Sequence, residues 1–184
     1  AMAAFAARAS QGHIGRARGL ATEEASRTRR QSDLRSAISL RDVPSCVLAA
    51  REMVTAATTA ANTRADELDA KEDEQFKAAF GIEEGSRVKG ASKRKVDAAK
   101  KQLADHQKNR RKRMIRDEAD RSLVDLLGLF RDVLMVQVGS NLELINQEMR
   151  PAVESFAARG NPADTTRTLV AIERARASIK ASTP

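Results

Sequence analysis

One continuous helical pattern, from residue 92 to residue 138, limits what this chain can fold into more than any other feature. Its second half carries apolar residues at steps of three, four and one, which place them in a single stripe on an α-helix. Val124, Leu129 and Val136 lie off the stripe, so this helix is apolar around more than half of its circumference. Such a helix needs neighbours on several sides, which predicts the central helix of a bundle. The stripe comprises Ala119, Leu123, Leu126, Leu127, Phe130, Val133 and Leu134.

The first half of the same pattern is strongly basic and offers little apolar surface to bury. Residues 87–118 hold thirteen basic residues against four acidic ones, whereas residues 66–86 hold eight acidic residues against two lysines. An acidic segment followed by a basic one, with a glycine-rich turn between them, is typical of a self-complementary helical hairpin. We therefore predict a long antiparallel helical arm over residues 66–116 that protrudes into solvent, with a mobile tip at residues 81–90.

Composition favours an all-α fold. Trp and Tyr are absent, only four prolines interrupt the chain, and no alternating β-branched run is long enough for a strand. A chain of 184 residues can hold one ordinary domain with a core, and we expect an all-α helical bundle. No apolar run approaches the roughly 20 residues that span a bilayer, so we expect a soluble, cytoplasmic protein without membrane contact. The single cysteine, Cys46, excludes an internal disulfide, and we expect it to be buried.

Capping and turn residues divide the remaining sequence into shorter helices. We expect a short first helix at its start, and a second that runs from a cap at Thr22 to about Leu40. Asp42 and Pro44 predict the start of a longer helix that reaches about Phe80. Its first turns are apolar, with Val47, Leu48, Met53 and Val54. Near the C-terminus, Pro151 and the pair Asn161–Pro162 predict the starts of two further helices.

The sequence holds no recognisable catalytic constellation. The two histidines, His13 and His106, are far apart and have no cysteine or paired carboxylates around them. We expect His13 to pack or cap in its glycine-bracketed turn and His106 to be a solvated helix residue. No glycine-rich loop ends in the Lys-Ser/Thr pair of a phosphate-binding loop. We therefore expect no enzyme activity, no catalytic residues, no cofactor, no metal site and no small-molecule substrate.

A basic cluster on the predicted arm is the candidate for phosphate contact. Opposite charge attracts it to a nucleic-acid backbone, but it also matches an ordinary helix face opposite the acidic residues 66–74. No aromatic residue is interleaved with the cluster, so base stacking is not expected. The cluster consists of Lys108, Arg110, Arg111, Lys112 and Arg113.

A glycine-containing turn near the N-terminus carries the first of two family resemblances. Residues 10–21 read SQGHIGRARGLA. They resemble the junction between the lid and collar domains in the delta-prime subunits of bacterial DNA polymerase III clamp loaders. In the related AAA+ ATPases this turn begins with glycine and places a nucleotide-sensing arginine, the sensor-2 residue, three positions later. Gly12 and Gly15 stand at those two positions here, which resembles the degenerate sensor-2 turn of delta-prime subunits.

The second resemblance lies in the central helix. Its end carries an aromatic residue, Arg-Asp and two apolar residues, which is similar to the central collar helix of the same family. The resemblance covers most of the chain and implies a remnant of the AAA+ lid over residues 1–21 and a helical collar, or oligomerisation, domain over residues 22–184. The arm at residues 66–116 departs from the compact collars of that family. The matching residues are Arg116, Asp117, Asp120, Arg121, Ser122, Leu123, Asp125, Leu126, Phe130, Arg131, Asp132, Val133 and Leu134.

What the resemblance implies is a non-catalytic domain that helps to assemble the clamp-loader ring, which loads the sliding clamp on primed DNA during replication. The implied partners are the other clamp-loader subunits, bound through their collar domains, with DNA contacted only indirectly or weakly. We expect the apolar excess of the central helix to supply the contact. Two alternatives remain open, a basic helical nucleic-acid-binding module and a free-standing coiled-coil adaptor.

Overall fold

The computed structural model describes residues 2–82 and 91–181, and within this part the chain is all-α, as the sequence predicts. No strand occurs in the described residues. A single turn of 3₁₀-helix at Gln147–Met149 precedes the sixth α-helix. The α-helices are α1 (Met2–Ala9), α2 (Ile14–Thr22), α3 (Glu24–Ser39), α4 (Val43–Ala79), α5 (Ala91–Gln137), α6 (Arg150–Ala157) and α7 (Pro162–Ala181).

The chain divides into two compact units. We call Ala1–Ala56 together with Ala119–Pro184 the bundle unit, and Ala57–Glu118 the hairpin unit. The two longest helices, α4 and α5, each contribute residues to both units. The arm predicted over residues 66–116 falls within the hairpin unit. The lid remnant predicted over residues 1–21 belongs to the bundle unit, and its boundary with the collar stays a prediction.

The core of the bundle unit forms where α3, α5 and α6 meet. Phe130 of α5 packs edge-to-face against Phe156 of α6, with the ring centroids 6.0 Å apart. Full burial of each large aliphatic side chain contributes about 1.5–3 kcal/mol. A smaller apolar cluster, with Phe5 beside Ala6, Ala9 and Leu20, joins α1 to α2. The main core comprises Leu34, Ala37, Leu129, Val133, Val153 and Ala157.

The second half of α5 is enclosed on all sides, as expected of a central helix. Every residue from 119 to 137 is at least partly buried. The most deeply buried face, however, differs from the predicted apolar stripe. This face contains two aspartates and Leu129, a residue that the pattern places off the stripe. Counting apolar residues along the sequence does not identify this face, since three of its five deepest residues are polar. The deepest positions are Ser122, Asp125, Leu129, Asp132 and Val133.

The predicted cap at Thr22 is wrong. The structure has a helix that the sequence pattern does not predict, α2, which ends at Thr22, and the predicted helix begins at Glu24 as α3. The Thr22 hydroxyl donates back to the carbonyl of Arg18 at 2.9 Å, inside α2, and therefore does not cap α3. The residue that does precede α3, Glu23, makes no side-chain capping hydrogen bond.

The caps predicted for α4 and α7 are confirmed. The Asp42 carboxylate accepts from the backbone N–H of Ser45 at 2.8 Å. The Asn161 side chain accepts from the backbone N–H of Asp164 at 3.0 Å. Gly81 follows α4 with a φ of 58°, a left-handed conformation that glycine adopts without steric cost. Most of the predicted mobile tip, residues 83–90, lies outside the described residues.

Candidate interaction surfaces and the buried ion network

The structure splits the predicted phosphate-contact cluster between two faces of α5. Arg110 and Arg111 face α4 within the hairpin unit and are partly buried. Lys108, Lys112 and Arg113 are exposed to solvent. The five residues therefore do not form one site.

The two inward arginines bind the acidic residues of α4. Arg110 Nη2 donates to Glu72 Oε2 at 2.8 Å and also pairs with Asp69. Arg111 Nη2 donates to Asp66 Oδ1 at 2.7 Å and to Asp69 Oδ2 at 2.6 Å. Later residues of α5 meet earlier residues of α4, so the helices are antiparallel. The predicted self-complementary hairpin is confirmed for this stretch.

These ion pairs stabilise the ionised forms of the arginines on α5 and of the carboxylates on α4. The hydrogen bond with Glu72 raises the pKa of Arg110 above its ordinary value. The same bond lowers the pKa of Glu72. Burial alone would raise the pKa of Asp69, but hydrogen bonds from Arg110 and Arg111 outweigh it and lower that pKa. A phosphate would have to displace several charge-assisted hydrogen bonds to reach either arginine.

The glycine turn near the N-terminus connects α1 to α2. Gly12 has a φ of 85°, a conformation in which other residues are strained. His13 caps α2, since its Nδ1 accepts from the backbone N–H of Arg16 at 3.2 Å, and the predicted capping role is confirmed. Gly15 lies in the first turn of α2. His106, expected to be solvated, is exposed on α5.

A buried ion network in the bundle unit was not foreseen from the sequence. At its centre is Asp125 of α5, which pairs with Arg16 of α2 and accepts from Arg30 Nε of α3 at 2.9 Å. Arg30 also donates through Nη1 to Glu148 Oε1 at 3.0 Å, and through Nη2 to the side-chain oxygen of Asn146. The network thus connects three helices and the segment before α6.

Asp132 lies two helical turns after Asp125 on α5 and binds the backbone of the segment that precedes α6. Its carboxylate accepts from the N–H of Ile145 at 3.0 Å and from the N–H of Asn146 at 2.7 Å. Arg131 donates to the same carboxylate at 2.8 Å. The pair Arg131–Asp132 therefore has a local structural role: it fixes the connection between α5 and α6.

Burial dominates the electrostatics of the network. It raises the pKa of Asp125, although Arg16 and Arg30 act in the opposite direction. It also lowers the pKa of Arg16, which Asp125 partly offsets. Asp33 behaves in the same way, with a pKa raised by burial even though Ser122 Oγ donates to its carboxylate at 2.6 Å. Each of these charges depends on its partners, so the network acts as structural support.

The sequence does hold a signal for this network. Asp125 and Asp132 stand seven residues apart, hence on one face of an otherwise apolar helix segment. Acidic residues on a helix that is predicted to be buried require buried cationic or N–H partners. The identity of those partners, in particular Arg16 and Arg30, follows only from the folded arrangement.

The first turns of α4 expose an apolar stripe. Val43, Val47 and Val54 are 75%, 55% and 59% exposed, and Ala50 between them is also exposed. Their spacing of four, three and four residues places them along one side of the helix, over about 16 Å. The adjacent Cys46 is exposed, so its predicted burial is wrong.

This stripe is a second candidate for the partner contact. The apolar excess of the central helix predicts an interface on α5, but residues 119–137 are all at least partly buried by the chain itself. Exposed aliphatic residues occur on α4, where Leu48 is also 58% exposed, and elsewhere, as at Ile14, which is 87% exposed.

Comparisons with known proteins add no identification. A scan against models of protein families, a search of curated proteins and a search of solved structures each found no match. Among the described residues, no group of three or more His, Cys, Asp or Glu side chains is placed to hold a metal ion. In the same part of the chain, no helix combines the length and apolar character needed to cross a membrane. Any assignment of function therefore depends on the residues and geometry described above.

Proposed function

We propose that this chain is a non-catalytic helical assembly domain of a DNA polymerase III clamp-loader subunit of the delta-prime type. In this proposal it binds the collar domains of the other subunits, and it works in the cytoplasm during clamp loading on primed DNA. The observation that carries the assembly role is the exposed apolar stripe formed by Val43, Val47, Ala50 and Val54, and the choice of partners comes from the resemblance of residues 10–21 and 116–134.

An exposed aliphatic stripe on a helix supports assembly with another protein. Water-exposed apolar patches with polar surroundings commonly mark protein–protein contacts. A second apolar helix laid along the stripe would bury these side chains, at about 25 cal/mol for each Å² of apolar surface removed from water. Arg51 and Glu52 lie beside the stripe and are exposed, so they would provide a polar rim.

The arrangement of the glycine turn supports a role that does not involve nucleotide. Gly15 has no side chain to contact a phosphate, and the nearby Arg16 is occupied by the buried Asp125. Arg18 is exposed on α2, two residues further on. The missing side chain at Gly15 and the ion pair of Arg16 support this part of the proposal.

Binding to partner collars tests the proposal. We expect the full chain to bind the collar domains of the other clamp-loader subunits in analytical ultracentrifugation. Replacing Val43, Val47 and Val54 together by Gln should weaken this binding at least tenfold, because each change removes apolar contact area without disturbing the core.

A matched triple variant controls for general surface effects. Val138, Leu142 and Val170 are also exposed aliphatic residues of the bundle unit, at 55%, 60% and 45%. Their replacement by Gln should change the affinity by less than about threefold, in line with ordinary surface substitutions. Absence of any binding between the unmodified chain and the partner collars would refute the assembly proposal.

A further inference from the structure

A row of exposed basic residues runs along α5 in the hairpin unit. Arg94, Lys101, Lys108 and Lys112 are separated by seven, seven and four residues, so they lie within about 40° of one another around the helix. The row extends over about 27 Å at 1.5 Å per residue. All four side chains are exposed. None of them forms an ion pair with a carboxylate in the described part of the chain.

The carboxylates of α4 that form ion pairs with α5 are bound by two arginines outside this row. Asp66, Asp69 and Glu72 of α4 are bound by Arg110 and Arg111, which lie on the other side of α5. With those two arginines set aside, residues 93–113 carry eight basic side chains, all exposed, against two exposed acidic ones, Asp97 and Asp105. The outward surface of this segment thus has a net charge of +6.

The surroundings of the row favour a phosphate backbone over other polyanions. Residues 91–118 contain no Phe, Tyr or Trp, and His106 lies about 120° around the helix from Arg94, so this face offers no large ring for base stacking. A helix that lies on an acidic membrane needs exposed apolar residues, but Val96, Leu103 and Met114 lie on the opposite side of the helix and are partly buried. Double-stranded nucleic acid presents closely spaced negative charges along a rod and requires neither feature.

We propose that the face of α5 that carries Arg94, Lys101, Lys108 and Lys112 binds the phosphate backbone of double-stranded nucleic acid without sequence preference. This surface replaces the predicted phosphate cluster, since it excludes Arg110 and Arg111 and extends toward the start of α5. It does not depend on the assembly function proposed above.

Salt-dependent binding of a duplex tests the proposal. Fluorescence anisotropy with the full chain and a labelled 20-base-pair DNA of arbitrary sequence should give a logarithmic salt slope of about −3 to −4, because each phosphate contact contributes about −0.9. Replacing the four basic residues by Gln should weaken binding at least tenfold at low salt and remove most of the slope. Gln and Lys have similar helix propensities, and circular dichroism will verify that the helical content is unchanged.

Two matched variants separate a defined surface from general charge. Replacing Arg18, Arg35, Arg41 and Arg174, four exposed arginines of the bundle unit, by Gln removes the same charge and should change the affinity less than threefold. Replacing Lys101, Lys108 and Lys112 by Arg keeps the charge and should preserve binding.

Four outcomes would overturn the proposal. The first is a wild-type salt slope near zero, and the second is unchanged binding by the Gln variant of the row. The third is an equal loss in the bundle-unit variant, which would indicate diffuse attraction by net charge. The fourth is binding to phosphatidylserine vesicles or polyglutamate without binding to the duplex.

Discussion

At the scale of single residues, the buried carboxylates of α5 explain more of the fold than its leucines do. Asp125 joins α2 and α3 to the central helix through two guanidinium groups, and Asp132 fixes the path of the chain before α6. Leu126 packs against the main core, but apolar contacts of this kind are not directional. Directional hydrogen bonds to buried charges are costly to leave unmade, so they favour one arrangement of the helices over others.

Removal of Arg30 should therefore destabilise the bundle unit strongly. Arg30 is 5% exposed and donates to Asp125, Asn146 and Glu148. The variant Arg30→Met keeps most of the side-chain volume but leaves a buried carboxylate with one cation fewer. We expect a loss of about 3–5 kcal/mol in the free energy of unfolding.

Urea unfolding followed by circular dichroism measures this loss, with Arg35→Met as the control on the same helix. Arg35 is exposed, so its replacement should change the free energy of unfolding by about 0.5 kcal/mol or less. A cost below about 1 kcal/mol for Arg30→Met would mean that packing alone, and not the ion network, holds α3 against α5.

At the scale of helices, the acidic and basic segments of the sequence were sufficient to predict that α4 pairs with α5. Asp66, Asp69 and Glu72 meet Arg110 and Arg111 in the antiparallel order that the hairpin requires. The same pattern could not assign individual basic residues to faces. That assignment depends on the rotation of α5 about its axis, which the helix partner sets.

The pairing makes the hairpin unit sensitive to acid. The pKa values of Asp69 and Glu72 are lowered in the folded chain, so their ionised forms stabilise the hairpin above the ordinary carboxyl range, near pH 4. This stabilisation is lost as the pH falls through the lowered folded-state values. Exposed pairs of this kind contribute little individually.

Carboxyl titration by NMR checks this prediction directly. In the full chain, Asp69 and Glu72 should titrate below their ordinary values, and Arg110→Gln should return both toward about 3.9 and 4.3. Lys108→Gln removes an exposed charge of the same helix and should leave both nearly unchanged. Equal titration in wild type and Arg110→Gln would contradict the ion pairs.

Helix boundaries were predicted correctly where a side chain caps the helix that begins within three residues of it, and wrongly where one helix follows another almost directly. Asp42 with Ser45, and Asn161 with Asp164, satisfy backbone donors within three residues, so the sequence alone identifies them. At the boundary between α2 and α3, Thr22 suggests a cap but bonds back into α2, and Glu23 makes no capping hydrogen bond, so the predicted start of α3 was wrong. The exposure of Val47 and Val54 was likewise unpredictable, because an apolar stripe indicates a contact but not whether the same chain provides it.

At the scale of the whole molecule, the two proposed surfaces belong to different compact units and use different chemistry. The apolar stripe of α4 lies within Ala1–Ala56, and the basic row of α5 lies within Ala57–Glu118. Apolar association is maintained or strengthened by salt, whereas phosphate contacts lose affinity by orders of magnitude over a few-fold increase in salt. A salt titration therefore distinguishes the two activities in one preparation.

We predict that the two surfaces can be removed independently. The Gln variant of Val43, Val47 and Val54 should lose collar binding and bind the DNA duplex as wild type does. The Gln variant of Arg94, Lys101, Lys108 and Lys112 should show the reverse. For each ligand, the combined variant should lose the same binding free energy as the single variant that affects that ligand, within about 0.5 kcal/mol. Ultracentrifugation and anisotropy at 50 and 200 mM salt, about the range over which phosphate contacts weaken most visibly, measure all four proteins. If the basic-row variant lost collar binding as well, the hairpin unit would itself be part of the assembly interface, and its charge would serve a protein partner.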